Sequence, residues 1–163
     1  MIEKNRLSNI RVLVVDDEKL SLKLTHDVLY KLGFSEVYTA HSGRDAIHVL
    51  LDRNVDLVIT DWRMDDMDGL ELLRFIRMSP NSPCKRVPIL FLTGNTEEKQ
   101  VIEARDAGVT EYMVKPFSVQ QLIVRIKAII EQPRPFIETK TYTGHDRRRR
   151  YFPPPDGVDR RKR

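Results

Sequence analysis

Residues 10–17 read Ile-Arg-Val-Leu-Val-Val-Asp-Asp, a nearly unbroken aliphatic run closed by two acids. A strand with one solvated face alternates apolar and polar residues, whereas an unbroken run fits a strand covered on both faces in a parallel sheet. From Glu18 to Leu32 the pattern changes. Leu20, Leu24, Val28 and Leu32 recur every four residues, which predicts a helix with these side chains inward, stopped by Gly33.

The same strand-helix unit recurs four times. Residues 36–40 predict a short strand, and Ser42-Gly43 opens a helix with Ala46, Ile47, Leu50 and Leu51 on one face. Residues 56–60 predict the third strand, followed by a helix carrying Leu70, Leu73, Ile76 and Arg77 and ending near Ser79-Pro80. Residues 87–92 predict the fourth, with a more polar helix over 97–107 that stops at Gly108. Residues 112–114 predict the fifth, and Ser118 caps a last helix with Leu122, Ile126 and Ile129 inward. Short links and right-handed crossovers make this an α/β fold, a doubly wound five-stranded parallel sheet of flavodoxin-like order 2-1-3-4-5.

In such a sheet the carboxyl ends of the strands converge on one edge. Asp16 and Asp17 end the first run, Asp61 the second, Thr93 the third and Lys115-Pro116 the fourth. The expected pocket holds three carboxylates, a hydroxyl and an ammonium, a set that suits Mg2+ and a phosphoryl group. Mg2+ takes hard oxygen ligands and usually one or two carboxylates, the rest being water, carbonyl and phosphate. Asp17 and Asp61 are candidates for those carboxylates, with Asp16 holding a metal-bound water and the backbone carbonyl of Arg63 adding a neutral oxygen. Mg2+ and the Lys115 ammonium would cancel the repulsion between an Asp61 carboxylate and a phosphoryl dianion, and Thr93 would donate to the transferred group. The product would be an aspartyl phosphate.

The motifs V-L-V-V-D-D-E, D-x-x-M-x-x-M-D-G-L, L-T-G and V-K-P-F, in this order and at these separations, resemble the receiver domain of two-component response regulators, close to the single-domain CheY-like kind. The resemblance covers residues 9–131. It implies that Asp16 and Asp17 are the acidic pair, Asp61 the phosphoacceptor, Thr93 the switch hydroxyl, Lys115 the phosphate-binding lysine and Tyr112 the switch aromatic, with a cis Lys115-Pro116 bond. It further implies a sensor histidine kinase or phosphotransfer protein as donor, a downstream protein target, and chemistry confined to self-phosphorylation and dephosphorylation. Two departures stand out. Asp65 occupies the place where the family usually has proline, which makes that loop looser and more negative, and Gly94 replaces the commoner alanine. Asp65, Asp66 and Asp68 read as a solvated loop and a helix N-cap, the alternative being extra metal ligation.

Charge divides the chain in two. Residues 1–132 carry 18 Lys and Arg against 20 Asp and Glu, whereas residues 133–163 carry 10 against 4, so the net charge of +4 belongs to the C-terminal part. Residues 1–132 are therefore expected to form the receiver domain. Residues 133–163, rich in Arg, Pro and Gly and poor in aliphatics, are expected to form an arginine-rich tail without order of its own. It contains a repeat: Gly144-His145-Asp146-Arg147-Arg148 and Gly157-Val158-Asp159-Arg160-Arg161 share the pattern G-x-D-R-R. A guanidinium stacks on purines and donates two bonds to guanine O6 and N7, while Asp accepts from guanine nitrogens. The tail resembles the arginine-rich extension of CheY-like cyclic-di-GMP effectors, which engage the flagellar motor switch. That resemblance makes Asp146, Arg147, Arg148, Arg150, Asp159, Arg160 and Arg161 candidate contacts for cyclic di-GMP, with Tyr151 stacking. The alternative is a basic tail that binds RNA, DNA or an acidic partner.

Other classes fit poorly. Asp16-Asp17-Glu18 after the first strand would repel a flavin phosphate, and Arg63 stands where a phosphohydrolase needs its acid-base carboxylate. His26, His41, His48 and His145 lack zinc-ligand spacing and are expected at surface or helix positions. Cys84 is the only cysteine, so no intrachain disulfide forms. The polar start MIEKNRLSNI and the lack of a long apolar run predict no secretory signal and no membrane span, hence a cytoplasmic protein.

Overall fold

The structure, a computed structural model, describes residues 4–94 and 98–147. A short helix α1 (Lys4–Leu7) precedes β1 (Arg11–Val15), α2 (Lys19–Leu32), β2 (Glu36–Ala40), α3 (Gly43–Asp52), β3 (Leu57–Asp61), α4 (Gly69–Met78), β4 (Ile89–Thr93), α5 (Glu98–Asp106), β5 (Glu111–Val114) and α6 (Val119–Glu131). Two further strands follow, β6 (Phe136–Glu138) and β7 (Thr143–His145). The first five strands form one parallel sheet in the order β2-β1-β3-β4-β5, as the apolar runs predicted.

Helices cover both faces. On one face Leu22 and Leu29 of α2 and Leu122, Ile126 and Ile129 of α6 pack on Val12, Val14, Ile59 and Leu90. On the other, Ala46 and Leu50 of α3, Leu73 and Ile76 of α4, and Ala104 of α5 pack on Leu13, Val58 and Phe91. Strands buried on both sides need aliphatic side chains at every position, which is why the sequence runs did not alternate.

The every-four reading of α2 is corrected. Leu20 and Leu24 are 64% and 57% exposed, whereas Val28 and Leu32 are partly buried against the core, whose fully buried α2 positions are Leu22, Thr25 and Leu29. At 3.6 residues per turn a spacing of four drifts about 40° per step, so such a stripe cannot stay on the buried face. Leu51 of α3 is likewise exposed, whereas Ala46 and Leu50 face inward as expected. Ser118 caps α6 with a reciprocal capping box to Gln121.

Residues 136–145, the first part of the segment expected to lack order, instead form a β6–β7 hairpin against the amino-terminal edge of the sheet; residues 148–163 lie outside the described residues. The hairpin's anchor is Arg77 of α4, which is fully buried. The Arg77 guanidinium donates to the carbonyls of Gly108 (3.0 Å), Lys85 (2.8 Å) and Val87 (2.7 Å), and its Cζ lies 5.5 Å from the Phe136 ring centroid. Burial lowers its pKa to about 10, so it remains a cation at neutral pH. Thr110 Oγ1 accepts from the Ile89 amide at 2.9 Å and lies 3.1 Å from His145 Nδ1. His145 is thus a buried strand residue, not the surface or helical one expected.

The hairpin seats glycine on glycine. Gly108 has φ +98°, and a Cβ there would stand 2.1 Å from the Thr143 carbonyl oxygen. A Cβ on Gly144 would stand 2.7 Å from Gly108 Cα. Only residues without side chains allow this approach and this conformation together. Lys85 pairs with Glu138, and Arg134 reaches the carbonyls of Thr110 and Asp146, so both ends of the hairpin are tied to the domain.

Candidate functional site

Register carries the candidate residues to one edge. Val15 pairs with Ala40 on one side and with Thr60 on the other, so Asp16 and Asp61 leave adjacent strands at the same level. Asp61 pairs with Leu92, and Thr93 with Val114, so Thr93 and Lys115 follow one step along. The Lys115 amide donates to the Thr93 carbonyl at 2.7 Å, and the Lys115-Pro116 bond is cis.

Carboxylate oxygens of Asp16, Asp17 and Asp61 lie within 4.8 Å of one another. Lys115 Nζ sits 3.4 Å from Asp61 Oδ1 and 3.7 Å from Asp16 Oδ2. Asp16 is buried and its Oδ1 accepts from the Glu18 amide at 2.9 Å, which fixes the turn after β1. Asp61 Oδ1 also accepts from the Trp62 amide at 2.9 Å. Burial pushes the Asp61 pKa up; the Lys115 ammonium opposes that shift and the neighbouring Asp16 adds to it. Three carboxylates against one ammonium leave a local negative excess, and hard oxygens at this spacing are the donor set that Mg2+ takes. Asp61, Trp62, Arg63, Thr93, Gly94 and Lys115 line one open cleft of about 340 Å³. Thr93 is buried at its wall.

The loop after β3 is held locally. Asp68 is the N-cap of α4, in a reciprocal capping box with Glu71, which settles its role as the helix cap. Asp66 adopts φ 69° and pairs with Arg44 of α3 at 2.9 Å. The Asp65 amide donates to Asp17 Oδ2 at 3.2 Å, so the loop contributes a donor to the acidic pair. Gly69 is needed for close approach, because a Cβ would stand 2.4 Å from the Asp61 carbonyl oxygen. Trp62, next to the acceptor in the chain, is 8% exposed and meets Phe91 edge-on at 5.2 Å between centroids.

Tyr112 pairs in register with Phe91 and is half-buried. With Val114, Phe117, Gln121 and Arg125 it lines an open groove between β5 and α6. Of the tail candidates, Asp146 and Arg147 are described, and they lie at the other end of the sheet. The Asp146 amide donates to the Pro135 carbonyl at 2.7 Å. Arg147 Nη1 lies 2.8 Å from Asp106 Oδ1, with its Cζ 4.6 Å from the Tyr142 ring centroid. Arg148, Arg150, Tyr151, Asp159, Arg160 and Arg161 fall outside the described residues. The Trp62 amide and the Arg44 tether carry no sequence signal, since one is backbone and the other pairs residues 22 apart.

Among the described residues no helix is long and apolar enough to cross a membrane. The chain matches the response regulator receiver domain family over residues 12–127. It is 37% identical over 123 residues to the chemotaxis protein CheY of Pseudomonas aeruginosa, covering 76% of this chain and 98% of that protein. It is 36% identical over 124 residues to CheY-3 of Vibrio cholerae, covering 76% and 94%. Among solved structures, chemotaxis protein CheY4 of Vibrio cholerae superposes with a TM-score of 0.68 at 32% identity, covering 74% of this chain and 98% of that one. On the sheet order, the acidic cluster and these matches, the chain belongs to the response regulator receiver domain family and is a CheY-like, phosphorylation-based signalling switch with an acidic pocket for Mg2+.

Proposed function

We propose that Asp61 receives a phosphoryl group from a sensor histidine kinase or phosphotransfer protein. The observation that carries this reading is the Lys115 ammonium, 3.4 Å from Asp61 and 3.7 Å from Asp16, inside a cluster of three carboxylates. An Asp61 oxygen forms the bond to phosphorus as the bond to the donor imidazole breaks. Lys115 balances charge on the transferred group and Thr93 donates to it. Asp16, Asp17, Asp61 and the Arg63 carbonyl would hold Mg2+, which supplies charge neutralisation when bound. Thr93 then moves toward the phosphate, and Tyr112 turns into the vacated space and reshapes the α5–β5–α6 face. The output is a protein contact at the flagellar motor switch, a reading supported by the chemotaxis relatives.

The test uses beryllofluoride with Mg2+. The amide resonances of Thr93, Tyr112 and Lys115 are expected to shift in the unaltered chain and not in Asp61→Asn. An unchanged spectrum overturns the reading.

The tail adds a second input, cyclic di-GMP. The paired D-R-R units support it, because guanidinium and carboxylate together match the guanine edge. Calorimetric titration of the full chain against a truncation ending at Arg147 tests this, since the hairpin through His145 belongs to the domain. Loss of binding on truncation is expected. Equal binding by both removes the tail from the site, and equal affinity for linear RNA or DNA, falling steeply with salt, favours the nucleic-acid alternative.

A further inference from the structure

The loop after β3 is gripped from outside by the start of α3. A Cβ at Gly43 would stand 2.5 Å from Met67 Cγ and 2.8 Å from the Met67 carbonyl oxygen, so α3 lies against both the side chain and the backbone of the loop. One residue further along α3, Arg44 Nε lies 2.9 and 3.1 Å from the two carboxylate oxygens of Asp66. Among the described residues Asp66 is the only non-glycine with positive φ, at 69°. The far end of the loop is closed by the Gly69 amide, which donates to the Trp62 carbonyl at 2.9 Å.

The same junction of β2 and α3 also holds the acidic pair. The Asp16 amide donates to the Ala40 carbonyl at 3.1 Å, at the end of β2. Between the acidic pair and the loop runs one hydrogen bond, from the Asp65 amide to Asp17 Oδ2 at 3.2 Å. Asp17 is exposed, so packing does not fix its carboxylate and this donor orients it. Arg44 and Asp66 are 69% and 53% exposed, and an exposed pair contributes little to global stability. What the pair restricts is local: it holds the left-handed turn next to the residue whose amide reaches Asp17.

We propose that Arg44 and Asp66 are positioning residues for the Mg2+ site, fixing the 65–67 loop so that the Asp65 amide holds the Asp17 carboxylate in place within the acidic cluster. The inference rests on the Mg2+ reading above and deepens it. Charge alone predicts the opposite sign for Arg44. A cation beside a divalent-ion site repels the ion, so its removal by charge alone would tighten Mg2+ binding, whereas loss of orientation weakens it.

The test is Mg2+ titration of the full chain followed by Trp62 emission, with the Asp65 amide resonance recorded before metal is added. Arg44→Ala is expected to shift that resonance in the metal-free protein and to weaken Mg2+ roughly threefold, the scale of an exposed ion pair. Its thermal midpoint should stay unchanged, and Arg44→Lys should recover most of the loss. Asp65→Pro removes the N–H donor, and adding Arg44→Ala to it should cost nothing further, because both act through one bond. Where the proline variant does not fold, Asp66→Asn, which tolerates the left-handed turn, takes its place: it should weaken Mg2+ as Arg44→Ala does, without additivity. Unchanged or tighter Mg2+ binding by Arg44→Ala, or additive losses, overturns the positioning inference and leaves the metal site standing. If the unaltered chain binds no Mg2+, both fall.

Discussion

The two edges of the sheet treat charge in opposite ways. At the carboxyl edge three carboxylates crowd around one ammonium, and burial resists the ionisation of Asp61. At the amino edge one buried guanidinium is matched by three carbonyls and an aromatic face. The first arrangement leaves an excess of negative charge that an incoming cation and phosphoryl group can relieve. The second leaves nothing for a ligand to relieve. A functional site in this fold is thus distinguished from a structural one by unbalanced polarity, not by burial, since Asp16 and Arg77 are both buried.

The sharpest way to break this contrast is Asp61→Asn. It is expected to abolish phosphoryl incorporation, read by phosphate-affinity electrophoresis after incubation with a small acyl phosphate and Mg2+. The same substitution should raise the thermal midpoint. Asp61 has its folded pKa raised, so its ionisation at neutral pH opposes folding, and a neutral amide removes that penalty. A lowered midpoint would show that the carboxylate is balanced after all.

At the other edge Arg77→Ala strands the carbonyls of Gly108, Lys85 and Val87. The expected loss is about 3–5 kcal/mol in denaturant unfolding, as for other broken buried networks. A loss below about 1 kcal/mol would mean that water satisfies those carbonyls.

Acid sharpens the contrast further. His145 has its folded pKa lowered to about 4 from 6.5, so between those values the unfolded chain binds a proton that the folded one does not. Stability should therefore fall as pH drops through that window, by on the order of 3 kcal/mol in total, and level off below it. His145→Gln should remove most of the slope.

The smallest effect belongs to Asp17, the most exposed of the three carboxylates. Asp17→Asn is expected to weaken Mg2+ about tenfold, ~1.4 kcal/mol, followed by fluorescence of Trp62 beside the acceptor. No change would move the metal onto Asp16 and Asp61 alone.

The carboxyl edge was legible in the sequence and the amino edge was not. Asp16, Asp61, Thr93 and Lys115 each terminate an aliphatic run, and a parallel sheet brings such termini together whatever the details of packing. Arg77 gave only the signal of a charged residue on the inner side of a helix. Its partners are backbone carbonyls far along the chain, which carry no side-chain signature. The hairpin was hidden for a related reason. Its segment is short of aliphatics and rests on Phe136, Gly144 and His145 docking against the domain, so composition alone indicates no order. The inner face of α2 was misread because periodicity four imitates periodicity 3.6 over two turns and diverges after that.

The contact of Gly108 with Gly144 gives the first G-x-D-R-R unit a structural duty apart from any ligand. In the first unit the glycine is a hinge pin: any methyl there would prise the strand off the α5–β5 turn and carry the following Asp-Arg pair away with it. Tolerance to substitution at position 144 is consequently dictated by the architecture beneath it. A library scanning the repeat should find position 144 closed to every larger residue, irrespective of what the basic segment recognises.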